Sequence, residues 1–135
     1  MSTHWAVEHI SKPWVCNTAG PDTFDCWGLV RWVYKNVLGV DLPEMPHIRP
    51  HEWLKIARAI KHQNLFEEAS TPKEYDVVAM GKCKDCHHVG VYTEADGGGI
   101  VHCEEGTGVV FMSMSSVRAN GYTQLKFLRW SEQHT

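Results

Sequence analysis

The stretch "GPDTFDCWGLVRWVY", residues 20–34, decides how the rest of the chain is read. It places a cysteine between an acidic residue and a tryptophan, at the start of a run with helical periodicity. Over residues 24–38 the apolar positions Cys26, Val30, Val33 and Val37 fall at intervals of four, three and four, which marks one face of a helix. Asp22 or Thr23 can cap its start, and Gly39 can end it in the left-handed conformation that favours glycine. At a helix start the unpaired amides and the macrodipole favour negative charge. A thiolate at Cys26 is therefore expected to be stabilised relative to a free cysteine. The competing reading makes Cys26 a small buried hydrophobe on the apolar face.

On the C-terminal side, Pro43, Pro46 and Pro50 enforce an extended connection. A second helix is expected over residues 51–61, with Trp53, Ile56, Ala57 and Ile60 on one side. After Pro72 the texture changes. "YDVVAM", "HVGVYTE", "GIVHCEE", "GVVFMSM" and "TQLKFLRW" are short β-rich runs, with glycines at several junctions. Helices first and strands second predict an α+β fold, its N-terminal helices packed on a mostly antiparallel sheet. With 135 residues and no repeat or linker, the chain reads as a single domain over residues 1–135.

Composition excludes several classes. A net charge of -3 offers no basic field, so no nucleic-acid partner is expected. No apolar run approaches the ~20 residues of a membrane span, so no membrane partner is expected either. The opening "MSTHWAVEHISKPW" lacks a basic segment followed by an apolar one; this predicts no signal peptide and a protein that is cytoplasmic when made. The five cysteines, Cys16, Cys26, Cys83, Cys86 and Cys103, are an odd set without a signal, which points to reduced thiols. The six tryptophans fit either a core or an aromatic-walled cleft.

Two of the nine histidines are better placed than the others. His88 opens "HVGVYTE" and His102 lies within "GIVHCEE", 14 positions later, with the glycine-bearing turn "DGGG" between them. A hairpin would bring them side by side, so that one imidazole orients the other and leaves a nitrogen for a thiol. Taken singly, each also reads as a structural or surface histidine.

The second cysteine cluster, "GKCKDCHHVG", contains a CxxC. Cys83 and Cys86 with His87 spell a haem-attachment motif, but no export route accompanies it. Zinc would need Cys83 and Cys86 plus two ligands from His87, His102 or Cys103, and there is no second CxxC. The expectation is no cofactor and no metal, with Cys83 and Cys86 as a weak candidate site beside the alternative of a turn carrying two reduced thiols.

Taken together, "KPWVCNTAGPDTFDCWGLVRWVY", "DLP", "DVVAM", "HHVGVY" and "GIVHCEE" resemble, in order, the pattern of the NlpC family of papain-like cysteine peptidases. The resemblance covers roughly residues 14–102. It implies an NlpC-type papain-like fold and a peptidase acting on the stem peptides of peptidoglycan, without a cofactor. It implies Cys26 as nucleophile, His88 as base and His102 as the residue that orients the base. At the proline-aromatic position, where a tyrosine is usual, the chain has Trp14; stacking against substrate and packing of the loop both fit it. Asp25 fits a substrate-amine contact or a helix cap. Trp27 stands where many members carry serine and is expected to add bulk at the cleft floor, so all three are candidate substrate-binding residues. The tryptophan form of the motif resembles members found in phage and prophage tail modules. That implies phage tail proteins as partners and a virion tail as destination. The rival readings are a metal-binding or structural tail component without peptidase activity, and a thiol acyltransferase or amidase on the same fold.

Overall fold

The computed structural model describes residues 4–43, 66–82 and 85–131, and the side chains of all of these except 85–87. The helix expected over residues 51–61 lies outside the described residues, as does the Cys83–Cys86 pair as a ligand set.

The chain begins with a short helix α1 (Trp5–Glu8), whose N-cap His4 accepts from the Ala6 amide at 3.1 Å. The expected helix starts at Cys26. Helix α2 (Cys26–Val33) is capped by Asp25 rather than by Asp22 or Thr23, because Asp25 is the residue that immediately precedes the first helical turn and reaches the Gly28 amide. From Tyr34 to Leu38 the backbone widens into a π-helical turn, and Gly39 closes it with φ 72° and ψ 22°. This turn inserts a register shift into the expected apolar stripe. Val30 and Val33 are buried as anticipated, but Tyr34 takes the next core position and Val37 is 42% exposed.

The described strands are β1 (Phe66–Ala69), β2 (Val77–Lys82), β3 (Asp85–Thr93), β4 (Gly99–Glu104), β5 (Gly108–Ser113) and β6 (Gln124–Trp130), in the spatial order β1-β6-β2-β3-β4-β5. Five of the six fall on the expected runs; β1, before Pro72, is an addition to the expected set. All pairings are antiparallel. The expected α+β architecture is what forms. One correction concerns the end of "GVVFMSM": the strand stops at Ser113, whose hydroxyl caps α3 (Met114–Ala119) by accepting from the Ser116 amide at 3.2 Å.

The sheet is covered on both sides, which explains why β2 reads as a continuous apolar run. On one face Val77, Ala79, Val89, Val91, Val101 and Cys103 pack with Trp27, Leu29, Val30, Val33 and Tyr34 of the helical layer. On the other, Val78, Met80, Tyr92 and Ile100 pack with Val117 of α3 and with Tyr122.

Candidate active site

The loop before α2 is tied down at several points. Phe24 donates to the Pro13 carbonyl at 3.1 Å, and Val15 donates to the Phe24 carbonyl at 2.9 Å. These bonds make a short parallel bridge between Trp14 and Phe24. Lys12 Nζ donates to the Pro21 carbonyl at 2.7 Å. Asp25 finishes the arrangement. Its Oδ1 accepts from the Gly28 amide at 2.6 Å and its Oδ2 from the Asn17 amide at 2.8 Å. Both carboxylate oxygens hold backbone, so Asp25 joins loop to helix; of its two sequence readings the cap is the one with geometry behind it.

Cys26 follows on a half-buried first helical turn and packs against the core. Backbone amides of Trp27, Val89 and Cys26 itself favour its thiolate, as the helix-start argument anticipates. Burial outweighs them. Desolvation first, and then the neighbouring Asp25 carboxylate, push the thiol up to about 12. The expectation of a stabilised thiolate is therefore corrected: in the free protein the sulfur keeps its proton at neutral pH.

Val89 places this sulfur beside β3, one residue past His88. His88 and His102 come from adjacent strands in a diagonal arrangement, since His102 lies opposite Gly90 in the β3–β4 register. A Cβ at Gly90 would stand 2.6 Å from Ile100 Cγ2 and 2.9 Å from His102 Cβ, so only glycine lets the second ring cross to the first. On the other side of β3 the pairing with β2 shifts between Met80 and Gly81, just past His88. Such irregularities re-aim side chains at strand ends.

The two rings meet edge to face, 4.9 Å between centroids, with His88 Nε2 and His102 Nδ1 at 2.8 Å. Both residues are buried, His102 completely. Desolvation lowers the His102 pKa to about 4, so this imidazole is neutral at physiological pH. Its Nε2 is buried with no hydrogen-bond partner among the described residues, and Glu104 Oε1 stands 3.6 Å from its Nδ1. A neutral His102 either donates from Nδ1 to His88 or accepts there from His88 Nε2–H. Only the second arrangement leaves His88 Nδ1 free of a proton and ready to take one.

A third aromatic ring, which sequence reasoning missed, completes the group. Tyr122 stacks on His88 with centroids 5.8 Å apart and planes at 22°, and meets His102 edge-on at 5.9 Å. Burial first, then the Glu104 and Cys26 charges, push its phenol up to about 12. The Cys26 sulfur and the Tyr122 phenol thus sit within electrostatic reach of one another.

The substrate-binding candidates divide. Trp14 is half-buried beside the loop that leads to Cys26. Trp27 is a core residue, 4% exposed, whose Nε1 donates to the Pro43 carbonyl at 2.9 Å. It does not floor an open cleft, because the helical turn carries its side chain inward while Cys26 stays at the margin. Among the described residues no group of His, Cys, Asp and Glu is arranged to hold a metal ion, and no helix is long and apolar enough to cross a membrane.

Comparison with known proteins adds the following. The profile of the NlpC/P60 family matches residues 11–129. The NlpC/p60 domain of the peptidoglycan hydrolase SagA superposes with a TM-score of 0.63 at 20% identity, covering 94% of this chain and 93% of that one. A Staphylococcus aureus protein described as similar to lipoprotein, NLP/P60 family, gives a TM-score of 0.57 at 20% identity. It covers 94% of this chain and 40% of its own. At that identity the likenesses speak for the fold. No curated protein matches the chain.

Proposed function

The chain belongs to the NlpC/P60 family, and from that premise we propose that it is a cysteine peptidase hydrolysing peptide bonds in the stem peptides of peptidoglycan. Cys26 is the nucleophile, His88 the base and His102 the residue that orients the base. The observation that carries this reading is the 2.8 Å bond between His88 Nε2 and His102 Nδ1, formed one residue from the amide that contacts the Cys26 sulfur.

Because the resting thiol is protonated, activation is general-base catalysis at the moment of attack rather than a preformed thiolate. His88 Nδ1 takes the Cys26 proton as the sulfur adds to the peptide carbonyl. His88 Nε2–H donates to neutral His102 throughout, which steadies the imidazolium. A backbone amide at the start of α2 receives the developing oxyanion. The imidazolium then gives its proton to the leaving amine, and water hydrolyses the thioester. The fully buried, neutral His102 suits this role, since an acceptor that stays uncharged does not compete for the proton.

Digestion of purified peptidoglycan with mass analysis of the fragments tests the reading. New peptide termini are expected from the natural chain and none from a folded Cys26→Ala variant; undiminished cleavage by that variant refutes it. Amine-capped products in place of hydrolysed ones would instead identify an acyltransferase on the same fold. The raised Cys26 thiol is the observation that favours a structural component without activity, and intact wall after digestion is its signature. The finer reading, a lytic component carried in a phage or prophage tail with tail proteins as partners, rests on the tryptophan form of the cysteine motif. It predicts that the chain is found in purified particles by mass spectrometry, and its absence there ends that assignment.

A further inference from the structure

We infer that Tyr122 is a positioning residue for His88: its ring holds the imidazole plane in line with His102, and its π face steadies the imidazolium formed when His88 takes a proton. This deepens the proposed catalytic reading and rests on it for the kinetic arm alone.

The geometry carries the inference. Tyr122 lies at the turn from α3 into β6, fixed by a 3.2 Å bond from its amide to the Val117 carbonyl. Its side chain is 5% exposed and belongs to the cluster formed by Val78, Met80, Ile100 and Val117. The ring therefore has little room to turn. It meets His88 nearly parallel, at 22°, and His102 nearly perpendicular, at 81°. The two imidazoles are themselves 78° apart. Three rings so disposed constrain one another: rotating His88 away from His102 Nδ1 would break its stacking on Tyr122. Lys82 Nζ, 4.9 Å from the Tyr122 centroid, holds the ring from the β2 side.

A stacked π face attracts a cation, so the protonated form of His88 is favoured over what an aliphatic neighbour would give. Among the described residues His102 bonds to His88 and Tyr122 stacks on it. Glu104 of β4 stands beside His102, Lys82 of β2 lies over the Tyr122 ring, and Cys26, with Asp25 next to it, acts electrostatically on Tyr122. His102 is neutral, and Cys26 keeps its proton until attack.

The test follows the imidazole resonances of the full chain by NMR through a pH titration without substrate, so it reads His88 whether or not the wall is cut. Tyr122→Leu removes the π face. Pentafluorophenylalanine introduced at position 122 keeps the shape and reverses the quadrupole, which guards against a fold lost with leucine. In both, the His88 midpoint is expected to fall by about half a pH unit. Tyr122→Phe keeps the midpoint. With peptidoglycan as substrate, kcat falls about tenfold for Tyr122→Leu at nearly constant KM, and Tyr122→Phe retains activity. Midpoints unchanged within about 0.2 pH unit in both ring-altered proteins overturn the inference. So does a Tyr122→Phe variant as impaired as Tyr122→Leu, since the hydroxyl and not the ring would then be responsible. A wild-type chain that cuts no wall while its His88 midpoint still responds to position 122 would retire the peptidase reading and leave the positioning role standing.

Discussion

His102→Gln isolates the energetic consequence of burying an imidazole. In the unfolded chain this histidine takes a proton near its ordinary value of 6.5, but in the folded protein only near pH 4. Between those values the unfolded state binds more protons, so stability rises with pH. Approached from the other side, the protein carries no penalty above about pH 6.5 and an increasing one as the pH falls to about 4, where it levels off. The integrated effect is roughly 3 kcal/mol. Glutamine does not titrate, and its amide oxygen can still accept from His88 Nε2. His9, whose pKa burial also lowers, titrates in both proteins and cancels in the comparison. Urea unfolding of both proteins should therefore give a stability difference that changes by roughly 3 kcal/mol in favour of the variant between neutral pH and about pH 4. A difference curve that stays flat refutes the buried neutral imidazole, and with it the acceptor role assigned to His102.

Site-resolved alkylation probes the thiol. Cys26 should react more slowly with iodoacetamide at neutral pH than the exposed Cys16, its rate rising toward about pH 12. Asp25→Asn should move that rise to lower pH, and rapid labelling of Cys26 in mild acid would contradict the protonated thiol. Gly90→Ala drives a methyl group to within 2.8 Å of the Val101 carbonyl and 2.9 Å of His102 Cβ. A stability loss of about 1–3 kcal/mol is expected by urea unfolding, together with loss of hydrolysis, and an active, equally stable variant would show that the ring crossing does not need glycine. Trp27→Phe keeps a core ring but loses the bond to Pro43, which should lower the melting temperature by a few degrees and leave KM unchanged. A large rise in KM would return Trp27 to the substrate cleft.

Much of the fold was legible because pattern and packing agree. The strands announce themselves as short β-rich runs, and both covered faces of the sheet are written into β2 as uninterrupted apolar residues. Gly39 ends its helix as its position suggests. The pairing of His88 with His102 could be anticipated from a hairpin, although the diagonal register depends on Gly90 having no side chain. Other features lie beyond local pattern. Helix α3 has six residues, too few to display a period, and β1 offers only Phe66 as a buried anchor. Tyr34, four residues after Val30, keeps its place on the apolar face, but the π-helical turn carries Val37 out of it, which a fixed helical repeat cannot foresee. The helix-start argument for Cys26 left out desolvation, a tertiary effect. Trp27 looked like a cleft residue because it stands where many family members carry serine, but successive helical side chains diverge by about 100° and its own turns into the core. Tyr122 belongs to no motif and reaches the histidines only through the folding of α3 onto the sheet.

The place of β6 carries a consequence for how this molecule comes into being. It is the last described strand in chain order, yet it lies between β1 and β2 and is paired to both. During synthesis, strands β2 to β5 can assemble as a meander while β1 waits for its neighbour. Nascent chains thus hold the thiol and both imidazoles before the sheet beneath them is closed and before Tyr122 has emerged. Vectorial growth makes the joining of β1 to β2 wait for residues 124–130, and a ribosome halted before residue 124 leaves the platform split in two.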